Sequence, residues 1–338
     1  MSDRMAAPIL DIASLSVAYR GAAGWTPVVR GIDVRLEAGR TLVLLGESGS
    51  GKSVTLRSIV GLLRDEGARV EGEVRVGARN VTTMSDPELR QLRGGRVGFI
   101  FQEPMTALDP VFRIGDQIAE TIVRHRGTTW KCAMGMAKEL FELVQIPSAA
   151  RRLSAYPNEL SGGLRQRAMI AMAMSCEPEL LLADEPTTAL DATVQIQVLL
   201  LLREIQKERG TSMVFVTHDL GVAAEIADDV AVMYAGQIVE HGSADQVLLT
   251  PRHPYTQALT RCVVRGSYRD AALGELGGAP PDLGRLPAGC SFAPRCVRRA
   301  DECLLAAPEP CEVAPSHIVA CLRAADMAAT PTGEFQES

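Results

Sequence analysis

The chain has 338 residues, 46% of them hydrophobic and 22% charged, with a net charge of -6 at pH 7; it is long enough for two or three ordinary globular domains. The acidic balance excludes nucleic-acid binding driven by bulk charge, and no apolar run reaches the length of a membrane span, about 18 residues. The N-terminus MSDRMAAPIL lacks a signal-peptide core, so the eight cysteines point to reduced thiols or metal ligation, not disulfides.

Residues 1–8 read as a frayed tail. Leu15, Val17 and Tyr19, then Ile32, Val34 and Leu36, alternate with polar or small residues, which predicts two half-buried antiparallel strands. Tyr19 on such a strand would either stack on a nucleobase or fill the core, and the residues alone do not choose. Residues 41–53, TLVLLGESGSGKS, are an apolar run, a glycine-rich loop and a Lys-Ser pair opening a helix. Gly46, Gly49 and Gly51 let the backbone approach a ligand closely, and the helix start offers unpaired N–H donors and a positive dipole end, so the turn reads as a phosphate cradle. Lys52 would add a point charge at the β- and γ-phosphates, and the Ser53 hydroxyl is a hard oxygen suited to Mg²⁺.

Residues 54–63 read as the helix this loop opens, 70–76 as a strand, and Ser85 with Glu88 as a capping box. Residues 96–102 alternate as a strand running into Gln102, which could reach a metal or an attacking water but by itself is an ordinary loop residue. Residues 104–176 change to helical spacing, at Ile114, Ile118 and Ile122 and again at Ala133, Ala137, Leu140 and Val144, so a helical subdomain inserted into an α/β core is expected. At its end LSGGLRQR, 160–167, places Ser161 as an N-cap, with Gly162 and Gly163 leaving the helix start exposed. Taken alone, a plain capped helix accounts for that pattern.

Residues 180–183 are continuously apolar, as a central parallel strand buried on both faces should be, and run into Asp184 and Glu185. Carboxylates at such a strand end sit where doubly wound sheets bind ligands. Asp184 suits the water shell of Mg²⁺, and Glu185 is placed to take a proton from an attacking water. An amphipathic helix over 194–208 follows, then a strand over 213–216 and His218, which could hydrogen-bond a γ-phosphate. Residues 230–234 and 237–240 form a closing hairpin, and Ser243 with Gln246 caps one more helix.

In order, GESGSGKS at 46–53, Gln102, LSGGLRQR, LLLADE at 180–185, Ala189-Leu190-Asp191 and His218 resemble the motif set of ATP-binding-cassette ATPases over roughly residues 9–250. Within that superfamily EPMTALDPVFRIGDQI after Gln102, RQR after the glycine pair and HPYT at 253–256 resemble the ATPase subunits of dipeptide/oligopeptide importers, whose relatives also serve nickel and other small solutes. The resemblance implies an α/β P-loop nucleotide-binding cassette over 1–265, with an antiparallel β subdomain and an inserted α-helical subdomain at about 104–176, followed by a Cys-rich extension over 266–338. It implies ATP and Mg²⁺ as ligands of Gly46, Ser48, Gly49, Ser50, Gly51, Lys52, Ser53 and Asp184, with Tyr19 at the base. Gln102 would sense metal and water, Glu185 polarise the water and His218 contact the γ-phosphate. Ser161, Gly162 and Gly163 would face the nucleotide of a second ATPase subunit, identical or homologous, with Asp191 at the seam. Two transmembrane permease subunits and an extracytoplasmic solute-binding protein are the further partners implied, at the cytoplasmic face of the cell membrane. Cassette ATPases acting on DNA or ribosomes usually carry a long coiled-coil insertion or two cassettes, so a nucleic-acid partner is not expected.

Residues 266–289, rich in Gly, Pro and Ala, read as a linker. Beyond it stand Cys290, Cys296, Cys303, Cys311 and Cys321, with His317 nearby. Four thiolates brought together need a positive centre, and a Cys₄ set fits tetrahedral Zn²⁺ or an iron–sulfur cluster. GCSFAPRC and the HxxxC ending at Cys321 resemble the C-terminal extension of peptide-importer ATPases. That likeness implies a [4Fe-4S] cluster on Cys290, Cys296, Cys303 and Cys321, with zinc as the alternative and Cys311 able to substitute for a neighbour. Cys132, Cys176 and Cys262 read as plain thiols.

Overall fold

The computed structural model describes residues 7–21, 24–188, 190–264 and 278–324. Residues 1–6, 22–23, Ala189, 265–277 and 325–338, which include most of the expected tail, much of the expected linker and the end of the expected extension, lie outside them. The chain opens with β1 (Leu10–Gly21) and β2 (Gly24–Leu36), an antiparallel pair. β3 (Thr41–Leu45) leads through the glycine loop into α1 (Lys52–Ile59). β4 (Arg69–Val76) and β5 (Arg79–Asn80) complete a four-stranded antiparallel sheet in the order β2-β1-β4-β5. The helix expected after Ser85 is α2 (Asp86–Leu92), where the Glu88 carboxylate accepts from both Ser85 N and Ser85 Oγ at 2.7 Å.

β6 (Val97–Ile100) is followed by helices alone: α3 (Pro104–Ala107), α4 (Ile114–Arg126), α5 (Trp130–Leu143), α6 (Ala149–Arg152) and α7 (Gly162–Met174). The apolar stripes set by 3.6-residue spacing are the buried ones. Ile114, Ile118 and Ile122 of α4 pack with Ala133, Ala137 and Phe141 of α5. Then come β7 (Leu180–Asp184), α8 (Ala192–Arg209), β8 (Ser212–Thr217), α9 (Leu220–Ile226), β9 (Asp229–Tyr234), β10 (Gln237–Ser243), α10 (Ala244–Leu249) and α11 (Pro254–Val264). The last described stretch holds α12 (Glu302–Leu305), β11 (Cys311–Ala314) and β12 (His317–Val319).

An eight-stranded sheet in the order β11-β12-β10-β9-β3-β8-β7-β6 carries the fold. From β9 to β6 neighbouring strands are parallel, and the β10, β12 and β11 edge is antiparallel. The unbroken apolar runs of β3, β7 and β8 follow from burial on both faces, with alternate residues serving two different cores. Val43, Leu45, Leu181, Ala183, Met213 and Phe215 face the core shared with the helices, while Leu42, Leu44, Leu180, Leu182, Val214 and Val216 face the core shared with α1 and the antiparallel sheet.

The edge hairpin β11–β12 was not foreseen from the sequence. It is docked by a buried polar knot at Glu240, which is 0% exposed. That carboxylate accepts from Arg252 N at 2.7 Å and His253 N at 2.9 Å, and lies 2.8 Å from His317 Nε2. Further apolar anchoring comes from Phe292, whose ring lies 5.2 Å from that of Tyr234 and 5.4 Å from that of Tyr255.

Candidate functional site

The loop between β3 and α1 is shaped by close backbone contacts. Gly46 has φ +155°, and a Cβ there would meet the Met233 carbonyl oxygen at 2.3 Å; one on Gly51, at φ +104°, would meet Val28 O at 2.8 Å. Only glycine fits either place. From the other side Gly236 N donates to Ser50 O at 3.0 Å, so the turn between β9 and β10 supports the loop. Lys52 is buried, with Nζ donating to Gly46 O at 2.7 Å and Glu47 O at 2.9 Å. Burial lowers its pKa, and the nearby Glu185, Asp184 and Glu47 carboxylates oppose that shift.

Three parallel strands end beside this loop. Gln102 lies just past β6, Asp184 ends β7 with Glu185 next to it, and His218 follows β8. One open cavity of about 670 Å³ is lined by Gly46, Ser48, Gly49, Gly51, Lys52, Ser53, Gln102, Glu185 and His218. This is the crevice at the carboxyl ends of parallel strands that doubly wound sheets use. Ser50 is buried under the loop. Ser53 Oγ donates to Asp184 Oδ1 at 2.8 Å, and burial raises the Asp184 pKa against the pull of that bond. A buried carboxylate, a hydroxyl and the Gln102 amide oxygen beside the same cavity are hard oxygen donors, the chemistry Mg²⁺ requires, so this donor set fits the ion.

Glu185 sits at φ +43°, a conformation that a residue with a side chain adopts at a cost of about 1 kcal/mol or more. Its N–H donates to Val216 O at 3.1 Å, tying it to β8. Its Oε2 accepts from Thr188 Oγ1 at 2.9 Å and lies 3.3 Å from His218 Nδ1. The strained backbone turns the carboxylate into the cavity, where its side chain stays 15% exposed. The arrangement can hold a phosphate chain at the loop and present a carboxylate and an imidazole to its far end.

The sequence matches the family model described as "ABC transporter" over residues 29–188, and the one described as "Oligopeptide/dipeptide transporter, C-terminal region" over 239–303. It is 44% identical to the dipeptide transport ATP-binding protein DppD of Bacillus subtilis, covering 93% of this chain and 94% of that one. The chain belongs to the ABC transporter family. Another relative in this ABC family, the oligopeptide transport ATP-binding protein OppD of Haemophilus influenzae, is 42% identical over 88% of this chain and 92% of its own. Among solved structures, a dimeric post-hydrolysis state of the ATP-binding cassette MJ0796 bound to ADP and Pi superposes with a TM-score of 0.63 at 26% identity, covering 70% of this chain and 98% of that chain.

Other residues of the ABC motif set stand apart from the cavity. Ser161 caps α7, its Oγ accepting from Leu164 N at 3.4 Å, and Asp191 caps α8 through Val194 N at 3.0 Å. A Cβ on Gly163 would strike Val194 Cγ1 at 2.8 Å, whereas Gly162 is open to solvent. None of the four lines the cavity formed by its own chain. Tyr19 is also absent from that lining; its Oη donates to Glu66 Oε2 at 3.1 Å, and burial with that bond raises its pKa to about 12.

Cys290, Cys296, Cys303 and Cys321 line one small cavity of about 20 Å³ together with His253 and Phe292. Cys311 is elsewhere, on β11, with its Sγ donating to Val319 O at 3.4 Å. Among the described residues, no three His, Cys, Asp or Glu side chains stand as a ready metal site. Burial raises the pKa of Cys290 and Cys296, and that of Cys321 to about 11. His317 is not part of the thiol group, since its Nε2 meets Glu240. Sequence reasoning missed Glu47, Arg295 and Tyr255, of which only HPYT gave a signal.

Proposed function

We propose that this ABC protein is the ATP-hydrolysing subunit of an importer that takes up di- and oligopeptides, seated at the cytoplasmic face of the membrane. The names of its relatives support peptide as the cargo, with nickel or another small solute as the alternative for the same motor. Its partners are a second ATPase subunit, two permease subunits and an extracytoplasmic solute-binding protein. The cassette would occupy 1–265 with its helical insertion at about 104–176. A cavity of about 450 Å³ lined by Arg93, Phe99, Phe101, His125 and Met172 supports a permease docking place near the start of that insertion.

One observation carries the reading: the Lys-Ser glycine loop and three strand ends, bearing Gln102, Glu185 and His218, converge on a single cavity, with Asp184 bonded to Ser53 beside it. Lys52 and the loop N–H groups bind the β- and γ-phosphates, and Ser53, Asp184 and Gln102 hold Mg²⁺. When bound, that ion neutralises charge across the two phosphates. Glu185 orients a water and accepts its proton as the water oxygen bonds to the γ-phosphorus and the bond to ADP breaks. His218 steadies the Glu185 carboxylate and donates to the γ-phosphate. Tyr19 stacks on the base. Ser161, Gly162 and Gly163 of the second subunit close over the nucleotide, with Asp191 at the seam; their position outside their own chain's cavity supports this use in trans. A γ-phosphate touched from both sides favours the closed pair over the open one, which is how hydrolysis can drive a cycle.

Cys290, Cys296, Cys303 and Cys321 would carry the [4Fe-4S] cluster, with zinc as the alternative; their shared cavity supports the choice, and the remoteness of Cys311 supports its exclusion. The test of the motor is made in the complex reconstituted in vesicles. Glu185→Gln should abolish steady-state ATP turnover while retaining ATP binding, and Lys52→Ala should lose both. Unchanged turnover in either variant overturns the assignment, and ATP-driven uptake of Ni²⁺ but not of dipeptides would move the cargo to the alternative.

A further inference from the structure

Glu47 is the second residue of the phosphate loop, and the P-loop pattern leaves its side chain without a role. In the fold it is gripped from three directions. Its N–H donates to Tyr255 Oη at 3.0 Å, its carbonyl accepts from Lys52 Nζ at 2.9 Å, and its carboxylate accepts two parallel bonds from Arg295, Nη1 to Oε2 at 2.7 Å and Nη2 to Oε1 at 3.0 Å. The Arg295 side chain is 6% exposed and that of Glu47 26%. A two-point guanidinium–carboxylate fork at that depth fixes direction as well as distance.

Arg295 is itself fixed. It ends the short 3₁₀ turn Ala293–Arg295, its guanidinium lies 5.8 Å from the centre of the Tyr234 ring, and the Tyr234, Tyr255 and Phe292 rings pack together beside it. The turn is tied to the cassette again where Arg30 Nη1 donates to Ser291 Oγ at 3.0 Å. Tyr255 stands on α11, inside HPYT. Both gripping residues thus lie far along the chain from the loop, separated from Glu47 by 208 and 248 positions.

We infer that Arg295 and Tyr255 are positioning residues for nucleotide binding, which hold the phosphate loop in its receptive shape while Lys52 exchanges partners. The inference rests on the reading of this cavity as an ATP site. Lys52 Nζ is bonded to the carbonyls of Gly46 and Glu47. A phosphate drawing on the same ammonium competes with those bonds, which otherwise brace the loop from within. A loop braced from outside keeps its N–H groups aimed, and binding then carries little ordering cost. Charge acts in the same direction, because an unpaired Glu47 carboxylate would repel a triphosphate, and Arg295 neutralises it.

The test uses the full chain for equilibrium binding of MgADP and MgATP, and the assembled complex for turnover, with Arg295→Gln, Arg295→Lys, Glu47→Gln and the Glu47→Gln/Arg295→Gln double variant. Arg295→Gln should weaken nucleotide binding roughly tenfold, raising KM far more than it lowers kcat. Arg295→Lys, which keeps the charge but not the fork, should fall between. In the Glu47→Gln background the second substitution should cost less than about twofold, the mark of two residues acting as one. Should Arg295→Gln not fold, Glu47→Gln, which leaves the packing around Arg295 in place, must still weaken binding severalfold. Unchanged affinity in either single variant, or an Arg295→Gln effect equal in both backgrounds, overturns the inference. A wild-type chain that binds no nucleotide would instead overturn the ATP-site reading on which it rests.

Discussion

Acidification should destabilise this protein through His253 by an amount that can be worked out. The imidazole is 1% exposed, and its Nδ1 accepts the Tyr255 N–H at 3.0 Å, which requires that nitrogen to be unprotonated. Burial pushes its pKa from 6.5 down to about 4, against the opposing pull of Glu240 and the Ala320 carbonyl. In the unfolded chain the ring titrates near about 6.5. Between those values the unfolded state binds more protons than the native one. The stabilisation is therefore complete above the unfolded pKa and falls as pH drops toward about 4. The gap is worth about 3 kcal/mol in all, of which about 2 kcal/mol is gone by roughly pH 5. Urea unfolding followed by circular dichroism from pH 8 down to the acid limit should be run on the wild type and on His253→Asn, whose amide oxygen can accept from Tyr255 without titrating. The wild-type stability should fall more steeply, by up to about 1.4 kcal/mol per pH unit. Buried His241, also lowered by burial, is common to both proteins and cancels. Parallel curves would refute the reasoning.

Gly46→Ala should lower stability by about 2 kcal/mol or more and abolish nucleotide binding, since the added methyl group meets the Met233 carbonyl at 2.3 Å; wild-type melting and affinity would contradict this. Protein purified without oxygen should contain iron and acid-labile sulfide, and stoichiometric zinc with no visible absorption would select the other metal. Cys303→Ser should lower the metal content, while Cys311→Ser should leave it unchanged because Cys311 lies on β11 away from the other four thiols; loss of metal in Cys311→Ser would count against the proposed set.

The frame was legible because its signals are local. The apolar runs of β3, β7 and β8 report burial on two faces, the spacing in α4 and α5 reports one buried stripe, and the Ser85 and Ser243 boxes mark helix starts that the structure contains. The phosphate loop and the strand-end residues were legible for the same reason, each being a short pattern with a direct geometric meaning. Illegible were the contacts whose partners lie far apart in the chain. Glu47 with Arg295 and Glu240 with His317 are polar pairs without any period. His317, noted beside the cysteines, proves to hold a carboxylate on β10. Arg167 of the RQR string likewise serves packing, donating to Val144 O and Gln197 Oε1 at 2.9 Å each and so joining the helices of the insertion to α8.

The hairpin at the rim of the large sheet bears on how this protein can be handled. Glu240 and His241 on β10 pair with Val319 and Ile318, so β10 is an inner strand only while residues 317–319 lie beside it. Its natural border is instead β11, four residues long and carrying Glu312, a short charged margin of the kind that discourages strand addition. Trimming the chain before residue 317 to obtain a smaller motor would leave a long bare template with a carboxylate stripped of its imidazole, and the expected product is insoluble aggregate.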